Sequence, residues 1–380
     1  MASTKTATST PALSFPRPIF AAISPHPFLQ AHLSAPGANK GFRANARSAQ
    51  EFRTPGIKTG TLTHCHGSAV VRLGNTSVVC GVRGEILRVE DVQDLPAVAA
   101  TDGVVGGIDG VGAQEDEEED EEEDEGELEG LRLLVPNLEL NTGSAPSNIP
   151  GSAPSAAAQT LITRIRSLLL STRLIRAKDL RIAFTPLPLN TNDPDNPPDT
   201  ESQPVPEVKA YWTLYLDILF ISLDGSAFDA AWLAILAALK DTVLPKASWD
   251  EDVEMVLCSD KFSDAERLRL RGLPVASTFA VFEGRGDDLK DVDMDEDGDK
   301  GPDWVLSDPD AFEEGVCREG VCIVLDCSDR RKKARGQIRR IEKSGGGVVD
   351  RDVMKDLVTR SFERWAVCER VLRGVGEATV

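Results

Sequence analysis

Two groups of carboxylates and one glycine turn define the chemistry for which this chain carries the residues. Asp308 ends an apolar run that begins at Trp304, Glu313 and Glu314 follow it, and acids so placed could bind a metal or pass a proton. Ser344-Gly345-Gly346-Gly347 enters a helix near Asp350. That is the composition of a phosphate cradle, because the free N–H groups and the dipole of a helix start attract an anion. The neighbouring residues argue against both uses. Asp350 and Asp352 fall in the first helical turn, where their carboxylates satisfy those N–H groups and repel phosphate. Glu314 is followed by Gly315-Val316-Cys317-Arg318, and Glu319 directly precedes a strand, where it reads as a solvated end. No catalytic residue is assigned.

Metal chemistry fares no better. Asp293-x-Asp295-x-Asp297-Gly298 matches the start of a calcium loop, but the twelfth position, which needs a bidentate Glu, is Trp304. Cys317, Cys322 and Cys327 recur every fifth residue, whereas zinc sites want close pairs that converge. The apolar run Val321 to Leu325 should carry Cys322 into a core. No metal and no cofactor is expected. The seven cysteines, an odd number and scattered, read as small hydrophobes in a reducing compartment.

The elements that must position these groups are legible in the apolar spacing. Ser68 to Glu85 reads as a hairpin, with Ala69, Val71 and Leu73 alternating before a Gly74-Asn75 break and Thr76 to Val82 resuming the strand. Pro136 to Leu140 is a further strand, and Gln159 to Ile175 has helical spacing. Val208 to Leu223 is a long β-type run. Asp224-Gly225 turns it into Phe228 to Leu239, a helix apolar nearly all round that must be buried on every side. Leu273 to Phe282, Trp304 to Pro309 and Gly320 to Asp326 read as the strands of a second unit. Asp352 to Arg373 closes it as an amphipathic helix, with Met354, Leu357, Val358, Phe362, Trp365 and Leu372 on one side. Between the last strand and that helix lies a basic block, Arg330 to Lys343, read as a solvated loop, a nuclear localisation signal or an RNA contact.

A formal net charge of −20 over 380 residues ordinarily argues against nucleic acid. Glu115 to Glu125, however, is an unbroken run of eleven acids followed by Glu127 and Glu129, a solvated segment that repels itself and cannot fold. Asp287 to Asp299 reads the same way. Without them the chain is mildly acidic and a local basic face can still meet RNA. No apolar stretch reaches the roughly 20 residues of a membrane span. The first fifty residues contain no acid, a transit-peptide composition. Ser24 to Leu33 nevertheless reads as a capped helical turn, so only about the first twenty residues are taken as a dispensable tail.

Arg43-Ala44-Asn45-Ala46-Arg47, the hairpin, the long strand with its Asp224-Gly225 turn, and Leu273-Pro274-Val275-Ala276 through Phe279-Ala280-Val281-Phe282 together resemble the RNase PH family. Within it they are similar to the catalytically inert ring subunits of the eukaryotic RNA exosome. One departure is that the family's usual Asp-Gly is Asn45-Ala46 here, which puts a polar role for that turn in doubt. The resemblance implies an α+β RNase PH-type fold (ribosomal protein S5 domain 2-like) with two β-α subdomains. They would be divided as a tail at 1–22, subdomain 1 over 23–248 with insertions at about 90–130 and 190–206, and subdomain 2 over 249–380 with an acidic loop at about 285–303. It also implies a noncatalytic subunit supporting 3′-to-5′ RNA processing, because the carboxylate that active members carry after the paired glutamates is missing. Implied partners are other RNase PH-like subunits, caps with S1 or KH folds, a separate hydrolytic nuclease, and RNA passing through the ring, in nucleus, nucleolus and cytoplasm. Members that grip RNA carry arginines in the loop before the Gln159 helix. This chain has Asn148-Ile149-Pro150 there, leaving Arg72, Arg164 and Arg166 as candidate phosphate contacts. A phosphorolytic exoribonuclease and an acidic-segment binder of basic proteins are the alternatives.

Overall fold

The computed structural model describes residues 16–35, 42–92, 124, 126–146, 148–149, 151, 153–186, 206–284, 304–328, 336–346 and 348–377. The start of the tail, the acidic run up to residue 123, most of the Pro-rich insertion, the acidic loop at 285–303 and residues 330–335 of the basic block lie outside them.

Two short helices, α1 (Arg17–Ile23) and α2 (Pro25–Leu33), open the described chain. A mixed sheet follows, made of β1 (Pro55–Thr59), β2 (Gly67–Leu73), β3 (Thr76–Arg88), β4 (Leu134–Leu140), β5 (Arg181–Phe184) and β6 (Glu207–Ser222). Its order is β1-β2-β3-β6-β4, with β5 pairing the start of β6. The β2–β3 hairpin turns at Gly74-Asn75 with Leu73 opposite Thr76, so Ala69, Val71 and Leu73 share one buried face with Val78, Cys80 and Val82. α3 (Ala156–Thr172) covers this sheet beside β4 and is capped by Ser155, whose side chain accepts from the Ala158 N–H.

α4 (Ala227–Asp241) is the spine. Every residue from Phe228 to Leu239 is buried, because the helix lies between the β1–β3 face of the first sheet and a second sheet. After it come two small ribbons, β7 (Val243–Leu244) with β10 (Glu266–Arg267) and β8 (Ala247–Asp250) with β9 (Met255–Cys258). The second sheet contains β11 (Val275–Phe282), β12 (Trp304–Ser307), β13 (Glu319–Asp326) and β14 (Gln337–Ser344), all antiparallel in the order β12-β11-β13-β14. α5 (Ala311–Val316) links β12 to β13, and α6 (Arg351–Glu377) closes the sheet, its Leu357 packing with Phe279, Val321 and Ile323. α2 seals its far end, with Leu29 and Leu33 against Phe282 and Leu306.

Five expectations need correction. Residues 17–22 of the tail are helical, although α1 buries none of its side chains, and Ser24 makes no side-chain cap bond to α2. Glu127 is 1% exposed, not solvated. It accepts from Arg181 Nε at 3.0 Å and from the Tyr211 hydroxyl, while Leu128 joins the main core, so the folded body resumes well before residue 130. Arg339, Arg340 and Lys343 lie in a strand, β14, rather than a loop. A charged edge strand has little apolar pattern to betray it. Glu319 belongs to β13 and is buried. Finally, α6 buries Leu357, Arg360, Ser361, Arg364, Cys368 and Leu372, whereas Phe362 is 37% exposed: polar groups claim part of the inward face.

Candidate functional site

The carboxylates singled out in the sequence converge on the arginines of residues 43–53, inside the molecule. The loop is pinched by a bridge between Phe42 and Ser48, and Ala46 takes the left-handed conformation at φ 65°. Asn45 holds the turn through its Oδ1, which accepts from the Arg47 N–H at 3.0 Å, and its amide donates to Asp310 at 2.8 Å. Asn45-Ala46 therefore keeps a polar role, contrary to the doubt raised by its departure from the family pattern.

Arg43, 2% exposed, meets Glu313 at 3.1 Å and donates to the carbonyls of Ser307 at 2.5 Å and Ala49 at 2.8 Å. Arg53 grips Asp308 with two guanidinium bonds of 2.8 and 2.7 Å and a backbone N–H bond of 2.8 Å, and reaches the Asp224 carbonyl at 2.8 Å. Arg47 donates to the Asp308 carbonyl at 3.0 Å. Arg364 of α6 donates to the Arg53 carbonyl at 2.6 Å and lies over the Phe52 ring. Arg360 donates to the Val305 carbonyl at 3.1 Å.

The acids are correspondingly committed. Burial alone would raise the Asp308 carboxyl, but the hydrogen bonds and charge of Arg53 hold it below its ordinary range. Glu313 closes a capping box on α5 with Asp310, and burial pushes it up against the opposing pull of Arg43. Burial likewise raises Glu314, whose Oε1 accepts from the Ser226 N–H at 2.7 Å. Asp229 accepts from the Thr278 N–H and hydroxyl at 2.9 and 2.6 Å, and is raised by burial. The segments are pressed together at Gly225, where φ is 71° and a Cβ would lie 2.4 Å from the Pro309 carbonyl oxygen. A general acid or base must reach a substrate. Asp308 and Glu313 are closed off from one, and each is already bonded.

The glycine turn is exposed over Ser344 to Gly346, but one side of it is taken. Gly345, at φ 101°, packs on Glu319, so that a Cβ would meet its Cγ at 2.7 Å, and the Lys343 ammonium donates to the Gly345 carbonyl at 3.2 Å. Gly347 lies outside the described residues. At the start of α6 the Asp350 carbonyl accepts from Met354, and Asp352 pairs with Lys355 at 2.8 Å. Among the described residues no group of three His, Cys, Asp or Glu is placed to hold a metal. Cys322 lies buried in β13, its thiol pushed up to about 12 by burial, and the acids of 293–297 lie outside the described residues.

The three candidate RNA contacts are not one cluster. Arg72 is exposed on β2 and folds back onto the Gly74 carbonyl at 2.9 Å. Arg164 on α3 is held at 2.6 Å by Glu342 of β14 and stacks over Phe228 at 4.0 Å. Arg166, two residues on, is half-buried on another face of the helix. The residues that sequence reasoning missed are Arg53, Arg360 and Arg364, and Glu127 was read as solvated. Arg360 and Arg364 stand four apart in line with Leu357 and Cys368, a spacing that places them on the core side of α6.

Residues 51–245 match the family model described as "3′ exoribonuclease family, domain 1", RNase PH. The chain belongs to the RNase PH family. It is 30% identical over 325 residues to exosome complex component rrp43 of Schizosaccharomyces pombe, covering 85% of this chain and 88% of that protein. It is 24% identical to exosome complex component Rrp42 of Methanothermobacter thermautotrophicus, covering 85% and 86%. Its fold is shared with a chain of the Archaeoglobus fulgidus exosome solved with RNA bound to the active site, at TM-score 0.54 and 19% identity, covering 95% of this chain and 100% of that one.

Proposed function

We propose that this chain is a noncatalytic structural subunit of an RNA exosome ring, supporting 3′-to-5′ processing and degradation of RNA, including maturation of rRNA. The observation that carries the reading is the closed Arg53–Asp308 pair, with Arg43–Glu313 beside it. The segment that would supply acid chemistry instead ties the N-terminal loop to the second sheet. Its likeness to exosome components over more than four-fifths of its length supports the ring assignment. On this reading its neighbours are RNase PH-like subunits, with S1 or KH caps and a hydrolytic nuclease completing the assembly, in nucleus, nucleolus and cytoplasm. Native affinity purification with identification of the co-purifying chains tests it. Stoichiometric RNase PH-like partners are expected, and a chain that purifies alone overturns the proposal.

A further inference from the structure

We propose that the outer face of the β8–β9 hairpin is a docking surface for a protein segment that carries apolar anchors flanked by lysine and arginine. The hairpin has two unlike faces. Opposed pairs run Ala247 with Cys258, Ser248 with Leu257, Trp249 with Val256 and Asp250 with Met255. Because side chains alternate, Trp249 and Val256 share one face, and Met255 and Leu257 share the other. The inner face is fixed to the body. Ala247 and Val256 pack on the main core, and Trp249 lies under the Lys209 ammonium at 5.6 Å. The tip is fixed as well: Asp250 Oδ1 accepts from the Asp252 N–H at 2.9 Å, and Glu254 takes the left-handed conformation.

The outer face has no such cover. Met255 is 43% and Leu257 47% exposed, with Val253 at 55% in the turn and Phe262 at 84% just beyond β9. The register sets Met255 and Leu257 side by side on this face, with exposed Val253 and Phe262 flanking them in the chain, and apolar side chains so gathered mark an interaction site. Held on a two-stranded ribbon whose other face is packed, they are presented already ordered, which lowers the entropic cost of binding.

The rim chooses the occupant. Asp250, Glu251, Asp252, Glu254, Asp260 and Asp264 surround these residues in the sequence, against the two cations Lys246 and Lys261. Such a rim repels RNA, an anionic membrane and the same face of a second copy, and it attracts a partner of positive charge. The surface therefore fits a basic protein segment with aliphatic or aromatic anchors. The inference does not depend on the ring assignment.

The test uses the full chain and two short fluorescent peptides, one alternating leucine with lysine and one alternating leucine with glutamate, followed by fluorescence polarisation. The leucine–lysine peptide should bind and the leucine–glutamate peptide should not. Because Met255 and Leu257 are exposed, Met255→Ser/Leu257→Ser should leave the melting temperature unchanged while weakening binding by about tenfold or more, the loss typical of interface anchors. Phe362→Ser, an exposed apolar residue on α6, should leave binding intact. Deleting 115–123 removes the competing attraction of the acidic run and should leave the dependence on Met255 and Leu257 in place. The proposal is overturned if the double variant binds as the parent does, if binding follows the acidic run alone, or if both peptides bind equally. It is also overturned if the double variant abolishes self-association of the chain, which would make the occupant a second copy.

Discussion

The Asp308 carboxylate is buried, and the Arg53 guanidinium and backbone N–H enclose it. Removing one partner of such a pair strands the other charge in the interior, at a cost of about 3–5 kcal/mol. Asp308→Asn should therefore lower stability by that order in urea unfolding, and a variant within 1 kcal/mol of the parent contradicts the pairing. The pH dependence has a defined sign. Asp308 titrates below its ordinary 3.8, so its contribution is present above that value and lost as pH falls through the folded one. Glu314 is shifted above its ordinary 4.5, so its contribution is full below that value and lost as pH rises through the folded one. Melting temperatures followed from acid to neutral pH should show a smaller acid-side fall in Asp308→Asn and a smaller fall on the rising side in Glu314→Gln, where Glu313 and Asp229 are raised as well. Ala46 offers a gain. A non-glycine residue at φ 65° costs roughly 1–2 kcal/mol, partly offset by the greater freedom of an unfolded glycine, so Ala46→Gly should stabilise by roughly 0.5–1 kcal/mol. Asp308, Glu313 and Glu314 stood out in the sequence, but their burial did not. Arg43, Asp308 and Glu313 are polar, and residue type alone does not tell an inward ion pair from a site open to substrate.

Among the elements, α4 was the most legible, because Phe228 to Leu239 is apolar on all sides and only a helix buried between two layers tolerates that. Leu233→Asp places a carboxylate where it has no partner and should cost several kcal/mol, read as loss of the folded chain from the soluble fraction. The hairpin was equally legible, since strict alternation admits one register only. β14 was not: Gln337 to Ser344 is mostly polar, and what makes it a strand is its pairing with β13, a non-local fact. The acidic insertion was misread at its end for a related reason. Glu127 looks like one more solvated acid until Arg181 and Tyr211 are brought beside it by β5 and β6. Deleting 115–123 should leave the melting temperature unchanged, whereas Glu127→Ala should cost about 2 kcal/mol by leaving buried donors unsatisfied. A reversed order of those two effects would show the acidic run to be structural.

On the scale of the whole molecule, α4 lies between the two sheets, and the cluster of Arg43, Arg53, Arg364, Asp308 and Glu313 clamps the N-terminal loop onto the second sheet. The two-unit plan was readable from the order of apolar runs, but the clamp was not, because its partners stand some 260 to 310 positions apart in the chain. On the proposed reading these charges hold the fold together and do no chemistry. The direct measurement is release of nucleoside diphosphates from RNA by the purified chain supplied with inorganic phosphate, with Asp308→Asn assayed at a temperature where it remains folded. No phosphate-dependent product is predicted from either protein. Phosphate-dependent product from the parent that disappears in folded Asp308→Asn would contradict the account.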